Sequence, residues 1–230
     1  MSGRPRILLA DDHTILLDSF QRLLEPTYEV VGRVKDGREL LEAAAKLKPE
    51  IIILDISMPR LNGIEAGRQL RRTNPEARLI FLTVNEDADL AVEALRLGAS
   101  GYLLKNSAAA ELFTAIQSAL VGKVYVTPLL TAGTPIGVFL NRHIKTSTEE
   151  LTARQREVLQ LLAEGRLMKE VADILQVTPR TVAFHKYTMM EELGLKTSAE
   201  LVQYAVEHGM VVASMLLSRA PINNPAGSSC

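Results

Sequence analysis

Thiol chemistry is all but missing from this chain, whose only cysteine is the last residue, Cys230. That excludes a disulfide framework and a thiolate metal site, and it fits a reducing compartment. No apolar run approaches membrane-spanning length and no apolar signal segment opens the sequence, so a cytoplasmic protein without membrane insertion is expected. An excess of charge of one sign is missing as well. The net charge is −1, with 15 Lys+Arg against 17 Asp+Glu up to Val121 and 11 against 10 after it. Bulk charge therefore names no partner, nucleic acid included. What remains is a chain of 230 residues, 47% hydrophobic and 23% charged, long enough for two domains with real cores.

The first half repeats one beat. Strands read at Arg6–Ala10, Tyr28–Val34, Glu50–Leu54, Arg78–Thr83 and Ser100–Leu104. Helical patterns lie between and after them, at His13–Leu24, Gly37–Leu47, Asn62–Arg72, Asp87–Leu97 and Ala108–Val121. Alternation of this kind implies right-handed βαβ units and a parallel sheet covered by helices on both faces. The run Ile51-Ile52-Ile53-Leu54 is uniformly aliphatic, as a strand buried on both sides must be. From 122 to 147, glycines and prolines (Gly122, Pro128, Gly133, Pro135, Gly137) break every period, which predicts a linker. Its apolar patch Ile136–Leu140 suits a contact surface.

Four short helices are predicted after the linker. Thr152 and Gln155 form a capping box ahead of Val158, Leu159, Leu161 and Leu162, and Gly165 stops that helix. Lys169–Leu175 is the second helix. Thr178 caps Pro179–Glu192, with Pro179 at its first position. Thr197 and Glu200 open the fourth, which ends at Gly209. The tail 213–230, turn-rich and polar from Ser218, is expected to be disordered.

Chemistry gathers at the strand ends. In an alternating parallel sheet the residues just beyond the carboxyl ends of the strands share one edge, where ligands bind. Here those residues are Asp11-Asp12, Asp55, Thr83 and Lys105. Carboxylates about 5 Å apart repel by roughly 3 kcal/mol per pair at an effective dielectric near 20, so three of them need a cation beyond one lysine. Oxygen ligands without a cysteine favour Mg²⁺. Each residue alone has an ordinary structural explanation, and it is their coincidence that marks a site. His13 reads as a helix-start residue rather than a ligand.

The pieces Leu8-Leu9-Ala10-Asp11-Asp12-His13, Leu54-Asp55-Ile56-Ser57-Met58-Pro59, Leu82-Thr83 and Gly101-Tyr102-Leu103-Leu104-Lys105 closely resemble the receiver domain of two-component response regulators, over about residues 5–121. The resemblance implies a flavodoxin-like sheet of five strands in the order 2-1-3-4-5. It implies that Asp55 accepts the phosphoryl group, and that Asp12, Asp11, Asp55 and the backbone carbonyl of Ser57 serve Mg²⁺. Thr83 and Lys105 would bind the phosphoryl group, and Tyr102 would rotate inward as the aromatic coupled to Thr83. Asn106 stands where many receivers have proline.

A second resemblance covers about residues 148–210. Leu151-Thr152-Ala153-Arg154-Gln155-Arg156-Glu157-Val158-Leu159, Ala163-Glu164-Gly165, Lys169-Glu170-Val171-Ala172, Thr181-Val182, His185 and Leu193-Gly194 are similar to the LuxR-type helix-turn-helix of the NarL/FixJ subfamily. It implies an all-α DNA-binding domain over 148–212 whose recognition helix, Pro179–Glu192, enters the major groove. Ala183, Phe184 and Tyr187 fall at the base-facing positions, with Arg180, His185 and Lys186 beside them. Lysine is common where Ala183 and Tyr187 stand, so the helix departs from the pattern, and thymine methyls become possible contacts.

Together these imply a regulator, not an enzyme, that takes phosphate from a sensor histidine kinase, dimerises when phosphorylated and binds double-stranded DNA. Before phosphorylation the receiver is expected to dock on and mask Pro179–Glu192. Two other readings share parts of the pattern. Haloacid-dehalogenase-like phosphatases join a strand-end Asp to Thr and Lys, but want a second Asp where this chain has Ser57. An interaction adaptor without DNA binding would also suit a recognition helix of such low positive charge.

Overall fold

The computed structural model describes residues 3–132, 134–142 and 151–211. Five strands, β1 (Arg6–Ala10), β2 (Glu29–Val34), β3 (Ile51–Asp55), β4 (Arg78–Thr83) and β5 (Gly101–Leu104), alternate with helices α1 (Thr14–Leu24), α2 (Gly37–Leu47), α3 (Gly63–Thr73), α4 (Ala88–Arg96) and α5 (Ala108–Leu120). All pairings are parallel. The order is β2-β1-β3-β4-β5, the flavodoxin-like order expected, and β6 (Tyr125–Val126) is added beyond β5.

Every residue of β3 is buried, as its aliphatic run requires at the centre of a parallel sheet. Alternate side chains feed two cores. Leu8, Ile52, Leu54 and Phe81 face α2, α3 and α4, while Ile7, Ile53, Ile80 and Leu103 face α1 and α5. Side-chain caps fix the helix starts near the carboxyl edge. Asp36 accepts from the backbone N–H groups of Arg38 and Glu39, and Asn62 accepts from that of Glu65.

The stretch read as a linker is more ordered than its glycines and prolines suggested. Besides β6 it contains α6 (Pro128–Thr131) and α7 (Ile136–Arg142). Pro128 acts as a helix starter at the first turn, where a missing N–H costs nothing. Phe139 of the expected contact patch is buried in the cluster that holds Tyr102, Leu90 and Val126.

The four remaining helices are α8 (Ala153–Ala163), α9 (Met168–Leu175), α10 (Pro179–Glu192) and α11 (Ser198–Glu207). They close around Val158, Leu159, Leu161, Val171, Val182, Met189 and Leu201. The capping box of α8 forms as read, and Thr178 caps α10. At α11, Thr197 accepts from the Glu200 N–H, but the Glu200 carboxylate takes the N–H of Lys196 instead of completing a box. The tail 213–230 lies outside the described residues.

Candidate functional site

Two strands deliver three carboxylates to one edge of the sheet. Asp55 is the last residue of β3, and Asp11 and Asp12 follow β1. Gly63 makes room for the arrangement: a Cβ there would lie 2.1 Å from the Asp55 carbonyl oxygen, so α3 can start against the end of β3 only on a glycine. Lys105 reaches in from the end of β5. Its Nζ lies 2.7 Å from Asp11 Oδ2 and 2.9 Å from Asp55 Oδ2, with both aspartates almost wholly buried.

Burial raises the Asp55 carboxyl to about 6; Lys105 opposes the rise, the Asp11 charge adds to it, and the Ser57 N–H stabilises the ionised form. Burial also works against the charged form of Lys105, but Asp55 and Asp11 outweigh it and hold the ammonium above the usual lysine range. His13, which the sequence reading set aside, joins this cluster. Its Nδ1 is 3.1 Å from Asp11 Oδ1 and 2.9 Å from Asp12 Oδ1. Adjacency to the Asp11-Asp12 pair was the signal for it. Ligand atoms of Asp11, Asp12, His13 and Asp55 all lie within 4.8 Å of one another, a predominantly oxygen donor set compatible with a divalent cation.

Thr83 ends β4 beside this cluster, and its carbonyl accepts the Lys105 N–H at 2.7 Å. Its Oγ1 accepts the Asn85 N–H at 3.0 Å. Tyr102 stands in the inward position in this structure. It is already wholly buried, and burial raises its phenol above the usual tyrosine range. The cover comes from the supposed linker, since Val126 and Phe139 share its cluster.

On α10 the apolar members of the reading set face solvent, with Phe184 65% and Tyr187 60% exposed. Arg180 is exposed and Ala183 half-buried. Lys186 is engaged: its Nζ donates to Ser198 Oγ at 2.7 Å and lies 5.5 Å from the Tyr187 ring centroid. The Phe184 and His185 rings meet edge to face at 5.7 Å.

The expectation that the first domain covers α10 does not hold in this structure. It grips α8 instead, through the loop between β3 and α3. Gln160 is 1% exposed. Its Nε2 donates to the Met58 carbonyl at 3.0 Å, and its Oε1 accepts the Asn62 N–H at 2.7 Å. Glu164 accepts the Arg60 N–H at 2.9 Å and a bond from Gln160 at 2.8 Å. Around this centre, Arg156 pairs with Glu65 at 2.9 Å, and Glu157 meets Arg38 at 3.1 Å and Gln69 at 3.0 Å. The turn closing α11 also reaches across, since a Cβ on Gly209 would lie 3.3 Å from Leu90 on α4.

A doubly covered parallel sheet with acids and a lysine at its carboxyl edge, followed by a four-helix helix-turn-helix unit, defines a two-domain regulator architecture. The family comparisons agree. Residues 7–117 match the response regulator receiver domain, and 149–205 match the bacterial regulatory proteins of the luxR family. The transcriptional regulatory protein MctR of Rhizobium johnstonii is 32% identical over 92% of this chain and 98% of its own length. The oxygen regulatory protein NreC of Staphylococcus aureus is 33% identical over 88% of this chain and 97% of its own. Among solved structures, RcsB of Salmonella typhimurium is 27% identical with a TM-score of 0.62, covering 90% of this chain and 98% of that one. An RcsB–DNA complex is 28% identical with a TM-score of 0.54, covering 88% and 98%. The chain belongs to the response regulators that join a receiver to a LuxR-type helix-turn-helix domain. No described helix is long and apolar enough to cross a membrane.

Proposed function

We propose that Asp55 is the phospho-acceptor of this cytoplasmic regulator, and that its Mg²⁺-dependent phosphorylation by a sensor histidine kinase switches binding of double-stranded DNA and transcription. The observation that carries the reading is the contact of Lys105 with both Asp11 and Asp55 at the end of the most buried strand. In the transfer, a carboxylate oxygen of Asp55 attacks phosphorus, the bond from phosphorus to the donor breaks, and the donor leaves as free histidine or, from a small acyl phosphate, as a carboxylate. Asp11, Asp12, Asp55 and the Ser57 carbonyl would hold Mg²⁺, which would supply positive charge opposite the phosphoryl oxygens. Lys105 exchanges its contact with the Asp55 carboxylate for one with the phosphoryl group, and the Thr83 hydroxyl donates to it. Water returns the site slowly to free aspartate, so the protein turns over no separate substrate.

The α8 contact gives the switch a physical form. The β3–α3 loop that α8 holds starts next to Asp55, so a phosphoryl group there acts on the loop's geometry. Docking through α8 leaves α10 uncovered but fixes one orientation of the domain. Two recognition helices must lie about one DNA turn apart to read paired half-sites, and release from the loop frees them to do so as a homodimer. Arg180, Ala183, Phe184, Lys186 and Tyr187 form the DNA-contacting set, with the apolar side chains directed at thymine methyls. Intact-mass measurement with a small acyl phosphate and Mg²⁺ tests the acceptor: one labile phosphoryl addition is expected, absent in Asp55→Asn. Addition to that variant would remove Asp55 from the role.

A further inference from the structure

The β5 strand carries Tyr102 and leads directly to Lys105, and something beyond the first five strands holds its end. After β6 the chain leaves the sheet at Pro128 to begin α6. A regular sixth strand would continue and offer backbone groups to β5. Thr127 takes over that task at the exit. Its N–H donates to the Tyr102 carbonyl at 3.0 Å. Its Oγ1 accepts the Leu104 N–H at 3.1 Å and donates to Glu111 Oε2 on α5 at 2.8 Å. The residue is 1% exposed. From the opposite side, the Thr83 carbonyl takes the Lys105 N–H at 2.7 Å. The two consecutive N–H groups before the lysine side chain are thus anchored by two threonines, one on β4 and one past β6.

We infer that Thr127 is a positioning residue for Lys105, so that residues past the five-stranded sheet are part of the phosphoryl-transfer machinery. This rests on the assignment of Asp55 and Lys105 given above. The hydroxyl is the required group. Valine has the same branched shape, but it neither accepts from Leu104 nor donates to Glu111, and it leaves a buried N–H without its acceptor. A Lys105 ammonium free to wander from the Asp55 oxygen loses the pre-set alignment on which transfer depends. The residues that would hold the cation stand at the ends of β1 and β3 and meet Lys105 only through its flexible side chain, so Mg²⁺ affinity should move far less than phosphoryl uptake.

The test uses the full chain with acetyl phosphate and Mg²⁺. Thr127→Val should slow phosphoryl uptake about tenfold, leave Mg²⁺ affinity within about twofold, and be rescued by Thr127→Ser, which keeps the hydroxyl. Placed in a Lys105→Ala background, where the positioned group is gone, Thr127→Val should slow uptake no further. Unchanged uptake in Thr127→Val would overturn the inference. So would parallel loss of uptake and Mg²⁺ affinity, which marks a purely structural residue, or additive effects with Lys105→Ala. Failure of the underlying assignment is distinguishable, because Asp55→Asn would then still gain phosphate.

Discussion

Truncating Gln160 to alanine should release the DNA-binding domain from the receiver without unfolding either. The side chain places both ends of its amide on the β3–α3 loop of the first domain. What it supplies is one amide that bonds a carbonyl and an N–H of the loop after the phospho-acceptor strand, at 3.0 and 2.7 Å. Neutral hydrogen bonds contribute a net 0.5–1.5 kcal/mol each, so their loss costs docking about 2 kcal/mol, or roughly 30-fold in the docking equilibrium. The flanking pairs Arg156–Glu65 and Arg38–Glu157 hold less than their geometry suggests, because desolvation offsets much of their attraction. Hydrogen exchange reads the result directly: the Asn62 amide should lose protection in Gln160→Ala, and small-angle scattering should show a larger radius of gyration. DNA affinity without phosphate should rise towards that of a fragment starting near Thr146. An Asn62 amide as protected as in the wild type, with unchanged scattering, would refute the clamp. Released domains with unchanged DNA affinity would refute its role in the switch.

Stability should depend on pH through Asp55. Its carboxyl lies at about 6 when folded against 3.8 ordinarily. The folded state therefore binds the proton more tightly, and stability is lost as pH rises from about 4 through about 6, by about 3 kcal/mol at most. Chemical denaturation of the metal-free protein at pH 5 and 7.5 should show the fall, and Asp55→Asn should abolish it. A slope that persists in Asp55→Asn would assign the effect elsewhere. On α10, Lys186→Ala should weaken binding to all DNA sequences and flatten the salt dependence by about one unit of log–log slope. Tyr187→Ala should change which sites are selected from a random pool, and an identical selection would take Tyr187 out of base reading.

The sheet and its acid cluster were legible because each rests on a local signal. An all-aliphatic β3 can only be central, and Asp11, Asp12, Asp55 and Lys105 meet because the topology sends every strand end to one edge. The sixth strand was not legible. Tyr125 and Val126 make a pairing of two residues, too short for any period, and Pro128 looks the same whether it starts a helix or breaks one. His13 was missed because a helix-start position and a ring turned onto two carboxylates are the same residue seen at different ranges. The grip on α8 was hidden for another reason. Arg156, Glu157, Gln160 and Glu164 read as the solvated face of an amphipathic helix, and only the fold reveals that a second domain replaces the water. The masking of α10 failed with it: the apolar patch Ile136–Leu140 was the expected contact surface, but its Phe139 is buried in the core of the first domain, and the contact between domains went to polar groups of α8.

The two residues of β6 also bear on how the sheet avoids unwanted edge pairing. Strand β5 would otherwise end the sheet, presenting an open row of amide and carbonyl groups over Gly101–Leu104, an invitation to pair with another chain. Tyr125 and Val126 occupy that row, and the early departure at Pro128 keeps β6 too brief to template a further strand. A chain cut at Val121 would keep the acids and Lys105 but lose this guard together with Thr127, so it faces aggregation along a bared margin as well as slower phosphoryl transfer.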